Sequence, residues 1–385
     1  MRIVYVYPQM VDHAGTERIL IDKMNYLADI MGYDVVLLTY EQCNRKLAFS
    51  LSEKVRHVDL NILYYQYFRR NYFSRFYHWH RLDKILQSKF NDFMSVFCPD
   101  VVITSTFYVK PLQIISSCPI PCVRILESHI DRRYIMNNNP VNQVNSFKQI
   151  LGKIDMCYLT KYAKRFDLLV ALNQSDADDW SRYLETTVIT NMVHLNPTGK
   201  IAKLENKNVI FVGRYTLQKG IPDLFKIWQL VHLRFPDWHL HLYGEGEMRD
   251  EIVKMAEQMN SNIHVNEQDE NIFDRYLESS VFVLTSLYEP FGLVMPEAMS
   301  CGVPVVAFDC PEGPAKIISD GIDGFLIPNR NATLFAEKLC KLIESHELRL
   351  QMGAAAIVAS QRYSSSKIMP SWLNLFEKYC NSSRN

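Results

Sequence analysis

The sequence predicts an α/β protein of two domains, each built on a doubly wound parallel sheet. Three observations predict it. Short runs rich in β-branched and apolar residues alternate with longer amphipathic stretches, the rhythm of strand–helix–strand units. Those runs are nearly continuous in apolar character, as strands covered on both faces are. The rhythm stops at a polar stretch, residues 196–206, which contains Pro197 and Gly199, and it restarts near Asn208. A chain of 385 residues has room for two such units.

The first domain is expected over residues 1–195. Its strands are expected at 3–7, 35–39, 101–104, 123–126 and 168–172. Between the first two, residues 16–31 put Ile19, Met24, Leu27 and Ile30 on one side of a helix. The second domain is expected over 208–360, with strands at 208–212, 239–243, 281–285, 303–308 and 325–327 and helices at 221–235, 248–259 and 334–343. The tail, 361–385, carries Ile368, Trp372, Leu375 and Phe376. Two such units in series are expected to face each other across a cleft. Parallel sheets bind ligands at the carboxyl ends of their strands, so that cleft is the expected site.

Composition narrows the function. Lys+Arg 42 equals Asp+Glu 42, whereas a protein that grips long nucleic acid carries a basic excess. Hydrophobic residues at 48% and charged residues at 22% exclude a disordered or collagen-like chain. No apolar run approaches the roughly 18–20 residues that cross a bilayer. The apolar start is stopped by Pro8, too early for a secretion signal, and reads as a first buried strand. The 9 Cys are scattered without a C-x-x-C pair; Cys118 and Cys122, the nearest neighbours, flank Pro119 and Pro121. Unpaired thiols in a reducing cytoplasm are expected, with no metal site.

Three segments carry chemistry. The first runs from Glu289 through Pro290, Phe291, Gly292 and Leu293 to Glu297, after a strand and into a helix that starts near Leu293 with Pro296 in its first turn. Free N–H groups at a helix start favour an anion, and Gly292 lets a ligand approach the backbone. Carboxylates accept bonds from hydroxyls, so a ligand with phosphate in the middle and polyols at both ends fits: a nucleotide-sugar. The plainer alternative makes Glu297 a complement to the helix dipole and Glu289 a solvated loop charge. The second segment is Phe211 to Gly220. Arg214 follows the strand end at Gly213 and Lys219 stands at the mouth of the next helix; two cations converging on one crevice would suit a diphosphate leaving group, and the plainer alternative is two surface cations. The third is His13-Ala14-Gly15-Thr16-Glu17, where Gly15 permits close approach and Thr16 is the expected N-cap. Gly244-Glu245-Gly246 lacks the third glycine of a dinucleotide fingerprint, which argues against a nicotinamide site. Asp176, Asp178 and Asp179 look like a metal-binding D-x-D, but they follow Ser175 at a helix start and read as a solvated, dipole-favoured turn.

With these segments in place, the chain resembles the retaining glycosyltransferases of family 4, which have the two-Rossmann-domain architecture called GT-B. The resemblance is carried by Glu289-x7-Glu297 and the residues after it to Phe308, by 211–220, by the turn at 243–247, and by 320–328. It implies transfer of a hexose or N-acetylhexosamine from a nucleotide-sugar, UDP-linked by family frequency. The resemblance gives Glu289 the hydroxyls of the transferred sugar and Glu297 the ribose. It gives Arg214 and Lys219 the departing diphosphate, and the N–H groups of Phe291, Gly292 and Leu293 the sugar and phosphate. Gly244 and Gly15 would lie at the donor, Gly15 from the first domain. The histidine of Glu127-Ser128-His129, after the strand at 123–126, would lie beside the sugar. The tail would cross back onto the first domain. No cofactor or metal is implied, since side-chain cations can balance the leaving group. The acceptor would be a saccharide or lipid-linked saccharide of polysaccharide assembly. Two departures stand out: the paired glycine loop reads Ala14-Gly15, and the turn before the linker reads Ile189-Thr190-Asn191-Met192. Residues 310–315, Cys-Pro-Glu-Gly-Pro-Ala, resemble members that move galactose- or N-acetylhexosamine-type sugars.

Residues 63–82 interleave aromatics with Arg69, Arg70, Arg75 and Arg81. That pattern suits peripheral contact with the cytoplasmic membrane face, or a helix pair packing its rings into the first core. Competing functions are a sugar-nucleotide epimerase of the same architecture and a non-catalytic nucleotide-sugar binder. The Glu289-x7-Glu297 signature argues against the first. The second is disfavoured by the presence of Arg214, Lys219 and both glutamates.

Overall fold

The computed structural model describes residues 1–12, 14–64, 72–133 and 146–382. They form two compact units, Met1–Met192 with Ile368–Asn385, and Val193–Lys367. In the first, the chain runs β1 (Arg2–Tyr7), α1 (Gly15–Asp29), β2 (Asp34–Thr39), β3 (Arg56–Asp59), α2 (Tyr72–Phe97), β4 (Val101–Ser105), α3 (Val109–Ser116), β5 (Val123–Ser128), α4 (Ser146–Ala163), β6 (Leu168–Ala171), α5 (Gln174–Trp180) and β7 (Thr186–Val188). The strands pair in parallel in the order β3-β2-β1-β4-β5-β6-β7. Because side chains alternate along a strand, Val4 and Val6 point into one core with Val36, Leu38, Leu86 and Phe90. Ile3 and Tyr5 point into another with Val35, Leu37, Leu20 and Met24.

The second unit contains β8 (Asn208–Val212), α6 (Ile221–His232), β9 (His239–Tyr243), α7 (Arg249–Met259), β10 (Ile263–Asn266), α8 (Ile272–Leu277), β11 (Val281–Leu284), α9 (Val294–Ser300), β12 (Val305–Asp309), α10 (Pro314–Ile317), β13 (Gly324–Pro328), α11 (Ala332–Glu344) and α12 (His346–Ser360). Its six-stranded parallel sheet has the order β10-β9-β8-β11-β12-β13. Phe211, Trp228, Phe308 and Phe335 centre the core on one face. In both sheets the order reverses, between β1 and β4 and between β8 and β11, and the loops beyond the carboxyl ends diverge at such a switch point. The last helix, α13 (Ser365–Ser382), places Met369, Trp372 and Phe376 in the first unit's core beside Ile3 and Tyr5. Burying each large side chain contributes about 1.5–3 kcal/mol.

Three strands were not expected: β3, β7 and β10. All three are sheet edges. Their sequences, RHVD, TTV and IHVN, are half-exposed and lack the apolar run that marks an inner strand. Other boundaries move for local reasons. The strand expected from 303 starts at Val305, since Pro304 has no N–H for the ladder. The helix expected to reach 235 ends at His232, ahead of Pro236. Thr16 is not the N-cap of α1: Ala14 holds that position without a side-chain bond, and Thr16 lies inside the first turn. The stretch 196–206, read as a linker, packs on the second unit, with Ala202 and Leu204 buried and the Ala202 N–H donating to the Cys301 carbonyl at 2.9 Å.

The aspartate string is also corrected. Asp176 is buried, and it accepts from the Arg132 N–H at 2.8 Å. Asn173 is the cap of α5, its side chain accepting from the Asp176 N–H. Asp179 pairs with Arg133 at 2.6 Å, and only Asp178 of the three is exposed. In the aromatic–basic segment, residues 65–71 lie outside the described residues. Trp79 and Leu82 pack against the first core, while His80 and Arg81 are exposed. Among the described residues no helix is long and apolar enough to cross a membrane.

At the outer edge of the second sheet, His241 and His264 stack at 4.6 Å, and His239 Nδ1 lies 3.0 Å from His264 Nε2. Burial first, then the neighbouring His264, His239 and Arg275, hold the His241 pKa down to about 4. The folded state therefore favours the neutral ring. That stability is present above the ordinary histidine pKa and is lost as pH falls from about 6.5 toward 4. Melting temperature should drop between pH 7 and 4.5 by less in His241→Phe than in the parent. Equal drops would remove His241 from the cause.

Candidate active site

The second unit's candidate residues gather at the switch point between β8 and β11. After β8 the chain passes Gly213 and Arg214 and makes a 3₁₀ turn at Leu217–Lys219. Gly220, at φ 64°, then caps α6; a Cβ there would lie 2.1 Å from the Thr285 carbonyl oxygen, so only glycine lets this loop close on the end of β11. Beyond β11, Leu287 donates its N–H to the Gln218 carbonyl at 2.8 Å and Gln218 Nε2 donates to the Tyr288 carbonyl at 2.9 Å. The two loops are thereby stitched together, and Lys219 meets Glu289. Lys219 Nζ lies 2.5 Å from Glu289 Oε1, with the side chains 12% and 5% exposed. Ser286 Oγ donates to the same oxygen at 2.6 Å. Glu289 is thus a buried carboxylate with two donors, not a solvated loop charge.

Glu297 sits in the first turn of α9, buried, and its Oε2 accepts from the Tyr276 hydroxyl at 3.2 Å. Between the carboxylates, Phe291 packs edge-to-face on Tyr363 at 5.1 Å, and Gly292 turns at φ 91°. The N–H groups of Phe291, Gly292 and Leu293 donate to no acceptor among the described residues. Residues 310–313 brace this loop from the side. Glu289 and Glu312 form a parallel bridge, and a Cβ at Gly313 would lie 2.4 Å from the Phe291 carbonyl oxygen. Arg214 is exposed and makes no ion pair among the described residues. Gly244, at the end of β9, lies so close to the strap from Gly213 to Tyr215 that a Cβ would come 2.0 Å from the Gly213 carbonyl oxygen. The Tyr215 N–H donates back to the Glu245 carbonyl at 2.7 Å.

Sequence reasoning missed Ser286, Tyr276 and Arg330. Arg330 donates to the Thr285 and Ser286 carbonyls at 2.8 and 2.9 Å and pairs with Asp223 at 2.6 Å, fixing the carboxyl end of β11. Its sequence neighbours are polar turn residues, so nothing local distinguishes it from a surface cation.

In the first unit, Gly15 opens α1 beyond β1, and it is exposed. His13 lies outside the described residues. His129, one residue past β5, is buried, with Nε2 3.1 Å from Glu127 Oε2. The approach is oblique, and neither imidazole nitrogen makes a well-aligned hydrogen bond among the described residues. Lys23 Nζ, from α1, lies 2.6 Å from the same Glu127 oxygen, both side chains being 3% exposed. Burial pushes the Glu127 pKa up, but Lys23 and His129 outweigh it and hold the carboxyl below its usual value. Burial lowers Lys23, and Glu127 only partly offsets that. Separately, a cavity of about 830 Å³ opens beyond the carboxyl ends of β1, β2 and β4, with Glu41, Arg45, Phe107, Tyr108, Lys110 and Asp155 among its walls. The Phe107 and Tyr108 rings are exposed, 5.9 Å apart and tilted by 38°.

The family model described as glycosyl transferases group 1 matches residues 198–358. An uncharacterized glycosyltransferase of Haemophilus influenzae is 30% identical over 363 residues, covering 93% of this chain and 95% of that protein. The poly(ribitol-phosphate) alpha-N-acetylglucosaminyltransferase of Staphylococcus aureus is 33% identical over 237 residues, 58% of this chain and 44% of that one. Among solved structures, an S. aureus TarM mutant in complex with fondaparinux, alpha-GlcNAc-glycerol and UDP aligns with TM-score 0.76 at 16% identity, covering 97% of this chain and 99% of that one. Sucrose-phosphate synthase from Thermosynechococcus elongatus aligns with TM-score 0.77 at 16% identity, over 99% of both chains. At such identities the structures show the fold, and that fold is GT-B.

Proposed function

The chain belongs to the group 1 glycosyl transferases, and from that membership we propose that it is a retaining enzyme of the family 4 type, moving a hexose or N-acetylhexosamine from a UDP-sugar to a saccharide or lipid-linked saccharide. The observation that carries the reading is the Lys219–Glu289 contact beside a loop with three N–H groups unused among the described residues, closed on its far side by Glu297. This arrangement offers hydroxyl acceptors at both ends and cation and N–H donors in the middle.

Glu289 accepts hydroxyls of the transferred sugar, and Glu297 those of the ribose. Arg214 and Lys219 take up the diphosphate, with the N–H groups of Phe291, Gly292 and Leu293 on the sugar and phosphate. Gly244 keeps the Arg214 strap close enough to reach it. In the first unit, Gly15 lets phosphate approach the start of α1, and His129 serves the transferred sugar. The bond from the anomeric carbon to the phosphate oxygen breaks, its electron pair leaving on that oxygen. The acceptor hydroxyl oxygen bonds the carbon on the same face, and its proton passes to the departing diphosphate. Negative charge grows on the leaving group, and fixed cations lower that barrier; side chains supply this charge without a metal.

The first unit's cavity suits the acceptor: an exposed aromatic pair stacks a sugar ring, and the charged rim bonds its hydroxyls. The S. aureus relative named for a poly(ribitol-phosphate) acceptor supports a polysaccharide-type acceptor here. The TarM complex, which contains UDP, supports uridine. We place the enzyme in the cytoplasm, touching the inner membrane face through residues 63–82, whose exposed members include His80 and Arg81.

A thermal-shift screen over sugar nucleotides tests the donor. A ligand at about 100 times its dissociation constant stabilises by roughly 2.7 kcal/mol, so the right UDP-sugar should raise the melting temperature by several degrees. No shift with any sugar nucleotide would sink the reading. Assay of the best donor with lipid-linked saccharides should then give product with the donor's anomeric configuration.

A further inference from the structure

We propose that the Lys23–Glu127 ion pair, covered by Trp372 from the last helix, is a positioning device that holds the His129 imidazole for the transfer step. The proposal rests on the transferase reading with His129 beside the transferred sugar. It assigns to Lys23, Glu127 and Trp372 a role that no motif marks.

The geometry is unusual for a structural pair. Two ions this buried are costly to desolvate, and a well-packed apolar pair often serves stability as well. Here the pair lies at the carboxyl edge of β5, two residues from His129. A single oxygen, Glu127 Oε2, faces both Lys23 Nζ at 2.6 Å and His129 Nε2 at 3.1 Å. The other oxygen, Oε1, is buried without a hydrogen-bond partner among the described residues, as is His129 Nδ1. Trp372 lies over Lys23, its ring centroid 3.8 Å from Nζ, and Tyr5 of β1 faces the same ammonium at 5.9 Å. All of these groups, Tyr5 excepted, line a small space of about 10 Å³, enough for one water, closed on another side by residues 189–192.

The charges explain the arrangement. Glu127 alone would draw a proton onto His129 and hold it there, since an opposite charge within about 4–6 Å favours the charged form. Lys23 neutralises that carboxylate, which weakens its pull on a proton at His129 while leaving Glu127 Oε2 in place against the ring. The titratable groups around Glu127 are Lys23 from α1, His129 beyond β5, and Tyr5 and Tyr7 from β1. Trp372 shields Lys23 from bulk water and so keeps the neutralisation strong.

The test follows the His129 ring itself. In ¹⁵N-histidine-labelled protein, with His129→Gln to assign its signal, Lys23→Met should move the His129 titration upward by about one pH unit. The pH profile of kcat should move the same way. With the best UDP-sugar, kcat should fall about tenfold or more while the donor KM stays within about threefold, and Lys23→Arg should restore most of it. Trp372→Ala should lower kcat and shift the titration, and Trp372→Phe should recover both. These two variants keep both charges, and they decide the matter should Lys23→Met fail to fold. An unmoved His129 titration with parental kcat, in Lys23→Met or in Trp372→Ala, overturns the proposal. The titration needs no donor, so failure of the parent enzyme to transfer sugar would count against the proposed reaction while the ring's response still decides the positioning role.

Discussion

Replacing Glu289 or Lys219 by alanine should lower kcat/KM by about 10²–10³, or roughly 3–4 kcal/mol of transition-state stabilisation. The two losses arise differently. On the proposed reaction, the leaving diphosphate would lose a fixed cation without Lys219, and kcat should carry the effect. On the same reading, the sugar would lose a hydroxyl acceptor without Glu289, and Lys219 is left without the carboxylate that holds it. The structure adds a second consequence. Each variant strands one charge of a buried pair, which destabilises by about 3 kcal/mol. Both single variants should therefore melt several degrees below the parent while still folding. Glu289→Gln, which keeps the shape and the Ser286 bond, should recover part of the stability and little of the turnover. Parental turnover in purified Lys219→Ala or Glu289→Ala would falsify the role given to that residue.

Gly244→Ala should be nearly as damaging from a position that touches no charge. Its Cβ would come 2.0 Å from the Gly213 carbonyl oxygen and 3.0 Å from its carbon. Both are main-chain atoms and cannot rotate aside. The strap cannot drift freely either, because the Tyr215 N–H is tied to the Glu245 carbonyl and the Met248 N–H to the Tyr215 carbonyl at 3.0 Å. The clash must move the strap that carries Arg214. Kinetics should show kcat/KM down by about 10², and the melting temperature should fall by several degrees, as for other steric overpacking. A Gly244→Ala enzyme with parental melting and donor affinity would show that the strap is not held there.

The inner strands and the acidic pair were legible because their signals are local. Val281–Leu284 is an unbroken apolar run, and Glu289 and Glu297 stand at a fixed spacing around a glycine. Three of the four edge strands were not, since a half-exposed strand such as Thr186–Val188 has no run to read, whereas the fourth, β13, carries the apolar Phe325–Ile327 and was read. The burial of Asp176 was hidden for a different reason: its partner is the Arg132 N–H, 44 residues away. The same holds for Lys23 and Glu127, separated by 104 residues, and for Trp372, whose cation arrives from the opposite end of the chain. Glu127 stood in view next to His129, but the ammonium that gives it meaning is set by the winding of the sheet.

The first unit is discontinuous in the chain: Ile368, Met369, Trp372, Leu375 and Phe376 complete a core whose other buried members lie before residue 193. A ribosome therefore delivers the whole second unit before the first can close. During synthesis the apolar face around Ile3, Tyr5 and Met24 stays uncovered while Val193–Lys367 is made, which favours chaperone engagement and early folding of the later half. Nascent chains arrested shortly before Met369 should pair a protease-resistant second unit with a sensitive first one.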